Sequence, residues 1–95
     1  MQSTAENRLW SEWLSRYLDH CRRELNGSEL KSLASALDGA IREQALPDRD
    51  ALEAERVERV ARPLVDFIAT APSAEARMAL AREAAVRLRA AARSR

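Results

Sequence analysis

Apolar residues recur along this chain at the three- and four-residue spacing of an α-helix, and no segment alternates with the two-residue period of a strand. Four segments carry the helical pattern. In the first, Trp10, Trp13, Leu14, Tyr17, Leu18, Cys21 and Leu25 share one face. At about 100° per residue they spread over about 140°, and Leu9 widens the face to about 180°. A helix that covers a core from one side needs less. Helix 1 is therefore expected either at the centre of a bundle or against something besides its own domain. Ser3 and Glu6 have capping-box spacing at its start, and Asn26-Gly27 is a strong helix-ending pair.

Helix 2 follows with Ser28 as the expected N-cap and with Leu30, Leu33, Ala34, Leu37 and Ile41 on one narrow stripe. A turn at Leu46-Pro47-Asp48 ends it. Asp50 and Glu53 can cap a third helix beginning near Ala51, in which Val57, Val60, Leu64, Phe67, Ile68 and Ala71 keep one register across Pro63. Proline removes a hydrogen bond to the carbonyl of Arg59, so the expectation is a continuous helix kinked at Pro63. The alternative is a break at Ala61-Arg62, with Pro63 opening a new short helix. Thr70 to Ser73 end this segment, and Ser73 caps helix 4.

The pattern predicts an all-α fold: a single domain over residues 1–95, built as a small up-and-down bundle of about four helices with a Pro-kinked third helix. A competing architecture is a hairpin or three-helix core whose fourth helix packs on another subunit. With 46% hydrophobic and 33% charged residues the composition is that of a folded domain. Nineteen of the apolar residues are alanine, however, which shrinks the volume available for a core and implies close helix packing.

Net charge is +1, but its distribution is uneven. From Ser73 to Arg95 there are six arginines against Glu75 and Glu83, which leaves this segment at +4 and the rest of the chain at −3. Leu80, Ala84, Leu88 and Ala91 point one way, whereas Arg82, Arg89 and Arg93 lie within about 40° of each other on nearly the opposite side. No acidic residue stands four positions from any of the three. The stripe reads as a solvated face, or as a track for phosphates or for an acidic protein surface. Fifteen arginines against the single lysine Lys31 favour bidentate recognition of phosphate and carboxylate, although a GC-rich genome gives the same bias.

Three of the four aromatics, Trp10, Trp13 and Tyr17, occupy one arc of about 60° on helix 1. They read as core side chains, or as partner-binding anchors if part of the cluster stays exposed.

No catalytic constellation is present. His20 and Cys21 are adjacent, and adjacent helical residues diverge by about 100°, so they do not form a nucleophile and base. One His and one Cys do not supply a metal site, and no cofactor is expected. Glycines only at 27 and 39 exclude a Gly-rich phosphate loop. The carboxylates are better explained by acid-first pairs at i to i+4: Glu12–Arg16, Asp19–Arg23, Asp38–Arg42, Glu55–Arg59, Glu58–Arg62 and Glu83–Arg87. A lone cysteine makes no intrachain disulfide, residues 1–8 lack an apolar leader core, and no run approaches a membrane span. A cytoplasmic location is expected. These features together predict a non-enzymatic interaction module, a small subunit or adaptor that docks on a protein partner. The alternative is a nucleic-acid-associated subunit that follows a phosphate backbone without reading bases. Self-association stays open, and no membrane partner is expected.

Overall fold

The computed structural model describes residues 4–46 and 54–94, with side chains from residue 10 onward. Among these residues four helices form: α1 (Thr4–Glu24), α2 (Gly27–Glu43), α3 (Glu55–Ala69) and α4 (Ala74–Arg93). The expected caps at Ser3 with Glu6 and at Asp50 with Glu53, and the Pro47-Asp48 turn, lie outside the described residues.

The α1–α2 junction is tighter than the sequence suggested. Asn26 does not end α1; in extended conformation it is the N-cap of α2, in place of Ser28, which lies inside the helix. Its side-chain oxygen accepts from the Glu29 N–H at 2.8 Å, and its own N–H donates to Glu29 Oε1 at 2.9 Å. That reciprocal capping box satisfies two helix-end donors within a connection of two residues. Buried Leu25 holds the corner from beneath. At the other end of α2, Gln44 takes the left-handed conformation (φ 56°), and the Ala45 N–H returns to the Ala40 carbonyl at 3.0 Å.

Helix α3 starts at Glu55 rather than near Ala51; Ala54 is its N-cap and offers no side-chain hydrogen bond. It runs unbroken through Pro63, as the continuous register predicted. Arg59 and Pro63 are both exposed, so the carbonyl that loses its donor faces water, where the loss costs least. Ser73 caps α4 as expected, accepting from the Ala76 N–H at 3.1 Å.

Contacts between helices fix their directions. Trp10 meets Phe67, and Arg56 reaches back to the Glu24 carbonyl, so α1 and α3 are antiparallel. Asp38 pairs with Arg89 whereas Lys31 lies beside Arg93, so α2 and α4 are antiparallel. Trp10 lies beside Ala76 and Arg22 beside Ser94, so α1 and α4 run the same way. The order is up, down, down, up. Alternation holds from α1 to α2 and from α3 to α4, while α2 and α3 share a direction. A connection from residue 44 to 54 permits this, since it can reach about 35 Å extended against a length of about 25 Å for α2.

The most extensive contact among the described residues is between α2 and α4, and α1 and α3 form the next pair. Leu30, Leu33, Ala34 and Leu37 of α2 are fully buried, as are Ala81, Ala84, Ala85 and Leu88 of α4 to within 1%. Val57, Ala61, Leu64 and Ile68 close the core from α3, and Leu14, Leu18 and Cys21 from α1. Glu29 also stabilises the pole where α2 and α3 begin: its Oε2 takes Arg56 Nε at 3.3 Å, and the same arginine donates to the α1 C-terminal carbonyl of Glu24. Replacing Glu29 by Ala removes half of the capping box and this bridge together. The expected loss is about 1–2 kcal/mol in urea denaturation, against less than about 0.5 kcal/mol for Ser28→Ala.

Candidate interaction surfaces

Four aromatic rings form one chain across α1 and α3. Phe67 lies between Trp10 and Tyr17, with ring centroids 5.1 Å from each. Trp13 stacks on Tyr17 at 6.3 Å and lies at the outer end of the chain, 41% exposed. The Arg16 guanidinium stands 4.9 Å from the Trp13 ring centroid, within cation–π range. The sequence-predicted trio therefore divides. Trp10 and Tyr17 are half-buried and cover Phe67; Trp13 touches neighbours on its own helix and presents its surface to solvent. Phe67 and Arg16 were missing from the predicted set. Phe67 reads as core from its register, and spacing pairs Arg16 with Glu12; its position three residues beyond Trp13 is the signal for the ring contact.

On the other side of Trp10, a groove of about 360 Å³ opens between α1 and α4. Trp10 and Leu14 line one wall; Ala71, Pro72, Ala76 and Leu80 line the other. Its end is closed by Arg87, which binds Glu83 at 2.8 Å and donates to the Ser15 hydroxyl at 2.9 Å.

The arginine stripe of α4 also divides. The predicted inward face had been centred on Leu80, Ala84, Leu88 and Ala91, but the buried face is Ala81, Ala84, Ala85, Leu88 and Ala92. This is a rotation of about 55° toward the arginines. Arg89 consequently flanks the α2 seam, where its Nη2 donates to Asp38 Oδ2, and it is half-buried. Arg93 shares a depression with Arg89, Lys31 and Ser35, whereas Arg82 stands apart and is exposed. Neither Arg82 nor Arg93 has a carboxylate partner among the described residues. Val86, beside the stripe, is 58% exposed.

Of the six expected i to i+4 pairs, Glu58–Arg62 forms with two hydrogen bonds of 2.7 Å and Glu83–Arg87 with one of 2.8 Å. Asp19 takes Arg22 at 3.2 Å instead of Arg23, and Asp38 takes Arg89 from α4 instead of Arg42. Local spacing lost to a tertiary neighbour in the second case.

Cys21 is fully buried and His20 half-buried beside it, so the thiol serves packing. Among the described residues no three His, Cys, Asp or Glu side chains converge as metal ligands, and no helix is long and apolar enough to cross a membrane. Comparison with protein-family models, curated proteins and solved structures gives no match.

Burial raises the Cys21 thiol pKa from 9.0 to about 11, against a weaker lowering by a backbone hydrogen bond. The folded protein thus holds this proton more tightly than the unfolded chain. Below pH 9.0 both states keep it and the stabilisation is complete; between pH 9.0 and about 11 the unfolded chain ionises first, and stability falls as pH rises. Urea denaturation should show a loss of about 1–2 kcal/mol across that window that is absent in Cys21→Ala. Equal slopes for the two proteins would place the thiol in water.

Proposed function

We propose that this domain is a non-enzymatic interaction module that docks on a protein partner through the Trp13 edge of α1. The observation that carries the reading is the division within the aromatic cluster. Trp10, Tyr17 and Phe67 hold one another in place, while Trp13 stacks on that support and keeps two-fifths of its surface in water. A large ring supported from behind loses little conformational freedom when a partner covers it, which is the property of an interface hot spot. Arg16 adds a cation beside the ring and supplies both orientation and a contact for an acidic group.

The phosphate-track alternative draws on the arginine stripe of α4, but the three cations do not line up as one track: Arg89 turns to the α2 seam beside Arg93, and Arg82 stands apart from both. Exposed Val86 next to Arg82 also suits a protein surface better than a nucleic-acid backbone. The protein reading therefore stands first.

The test is to purify the chain from its own host at low salt and to follow what remains bound to Trp13→Ala and to an Arg82→Ala/Arg93→Ala variant. A stoichiometric protein partner that weakens by about thirtyfold or more with Trp13→Ala supports the reading. The substituted ring is exposed, so melting temperature should change little. Nuclease-sensitive nucleic acid lost with the arginine variant, or a protein partner indifferent to Trp13, would overturn it. Light scattering of the free chain decides whether that partner is a second copy.

A further inference from the structure

We propose that the depression on the α2–α4 seam lined by Lys31, Ser35, Arg89 and Arg93 binds the dianion of a phosphate monoester. Three cations and a hydroxyl from two helices line one open hollow of about 390 Å³, and Asp38 is the carboxylate beside it, paired to Arg89. Three positive charges against one negative leave a surplus of two. That matches a terminal phosphate, which carries about −1.5 to −2 at neutral pH, whereas a carboxylate or an internal phosphodiester carries one charge and leaves the site half neutralised.

The donors also suit a group with several acceptor oxygens. Arg89 has five N–H donors, and one is given to Asp38; that bond fixes the plane of the guanidinium and leaves the rest of the fork available. Lys31 adds three donors, Ser35 a hydroxyl and Arg93 a second fork. The seam that carries them is the most extensive helix–helix contact among the described residues, so the spacing between the α2 and α4 donors is set by the core and not by a loop.

The grouping gives this cluster its weight. Other arginines among the described residues, Arg82 among them, also lack a carboxylate partner, but here three cations from two helices line one hollow. Lys31 and Arg93 both stand beside a third cation, Arg89. A last-turn position on α4 accounts for a cation at Arg93 through the helix dipole; it does not account for Lys31 opposite.

The site differs from the sequence-predicted stripe in two ways. Lys31 and Ser35 enter from α2, and Arg82 drops out. A single hollow also binds one terminal group rather than a succession of backbone phosphates.

Nuclear magnetic resonance of the 15N-labelled chain provides the test, with O-phosphoserine, inorganic phosphate, dimethyl phosphate and sodium chloride of equal ionic strength as probes. The expected result is saturable shifts at Lys31, Ser35, Arg89 and Arg93 with O-phosphoserine, at least about tenfold weaker in Lys31→Ala/Arg93→Ala and unchanged in Arg82→Ala. Dimethyl phosphate, a monoanion, should not saturate. Equal affinity for inorganic phosphate and O-phosphoserine identifies the phosphate alone as the ligand; a preference for O-phosphoserine shows that the ester side is read as well. Shifts no larger than with chloride, shifts spread over all arginines, or shifts that persist in the double variant would overturn the proposal. Both substituted side chains are exposed, so the variant keeps its fold, and its unaltered spectrum elsewhere verifies this. Trp13 takes no part in this binding, so the outcome is separate from that of partner docking.

Discussion

The alanine face of α4 packs against α2 in the most extensive helix–helix contact among the described residues. Alanine itself contributes little apolar area, so the stabilisation at this seam comes from what its small size permits. Leu30, Leu33 and Leu37 are excluded from water completely, each by about 1.5–3 kcal/mol, and the two backbones gain dispersion contacts at short range. A chain with only four aromatic residues has few other ways to close a core. The constraint is severe, because a seam lined by Ala81, Ala84 and Ala85 at 0–1% exposure has no room for larger side chains.

From this seam the rest of the arrangement follows. Because α4 turns its small residues inward toward α2, Arg89 is carried to the flank of the interface and finds Asp38. The α1–α3 pair is joined differently, by Phe67 between two rings and by Arg56 at the pole. Trp13 is left outside because the width of the α1 face exceeds what α3 and α4 cover. The two surfaces proposed for binding are thus by-products of packing geometry: one is the part of a broad aromatic face that the core does not use, and the other is a cluster of cations gathered at the edge of the α2–α4 seam.

Much of this was legible in the sequence. Helical register placed Leu30, Leu33, Ala34 and Leu37 correctly, along with Val57, Val60, Leu64 and Ile68, because each stripe is narrow and bounded by charge. It failed where residues are small. With nine alanines between Ala74 and Ala92, several faces of α4 are equally apolar by type, so size complementarity to α2 chose the buried one. Asn26-Gly27 is ambiguous by sequence because both residues signal helix ends as readily as starts, and the deciding partner is Glu29 at capping-box distance. The Asp38–Arg89 pair and the grouping of Lys31 with Arg93 span more than fifty residues or two helices; no local spacing encodes them. Exposure of part of the Trp10, Trp13 and Tyr17 cluster is legible as an alternative to burial, since a face of about 180° is wider than a helix covering a core from one side needs; which ring stays outside is not.

The primacy of the α2–α4 seam is most directly measured by native-state hydrogen exchange. The account predicts that amides in the buried stretches of α2 and α4, around Leu33, Leu37, Ala84 and Leu88, exchange only through global unfolding, with a free energy equal to that from denaturant titration. Amides of α1 and α3 should open at lower cost, since the contacts that join them to the seam are fewer and lie nearer the surface. Protection that is greatest in α1 and α3, with α4 fraying at low denaturant, would contradict it.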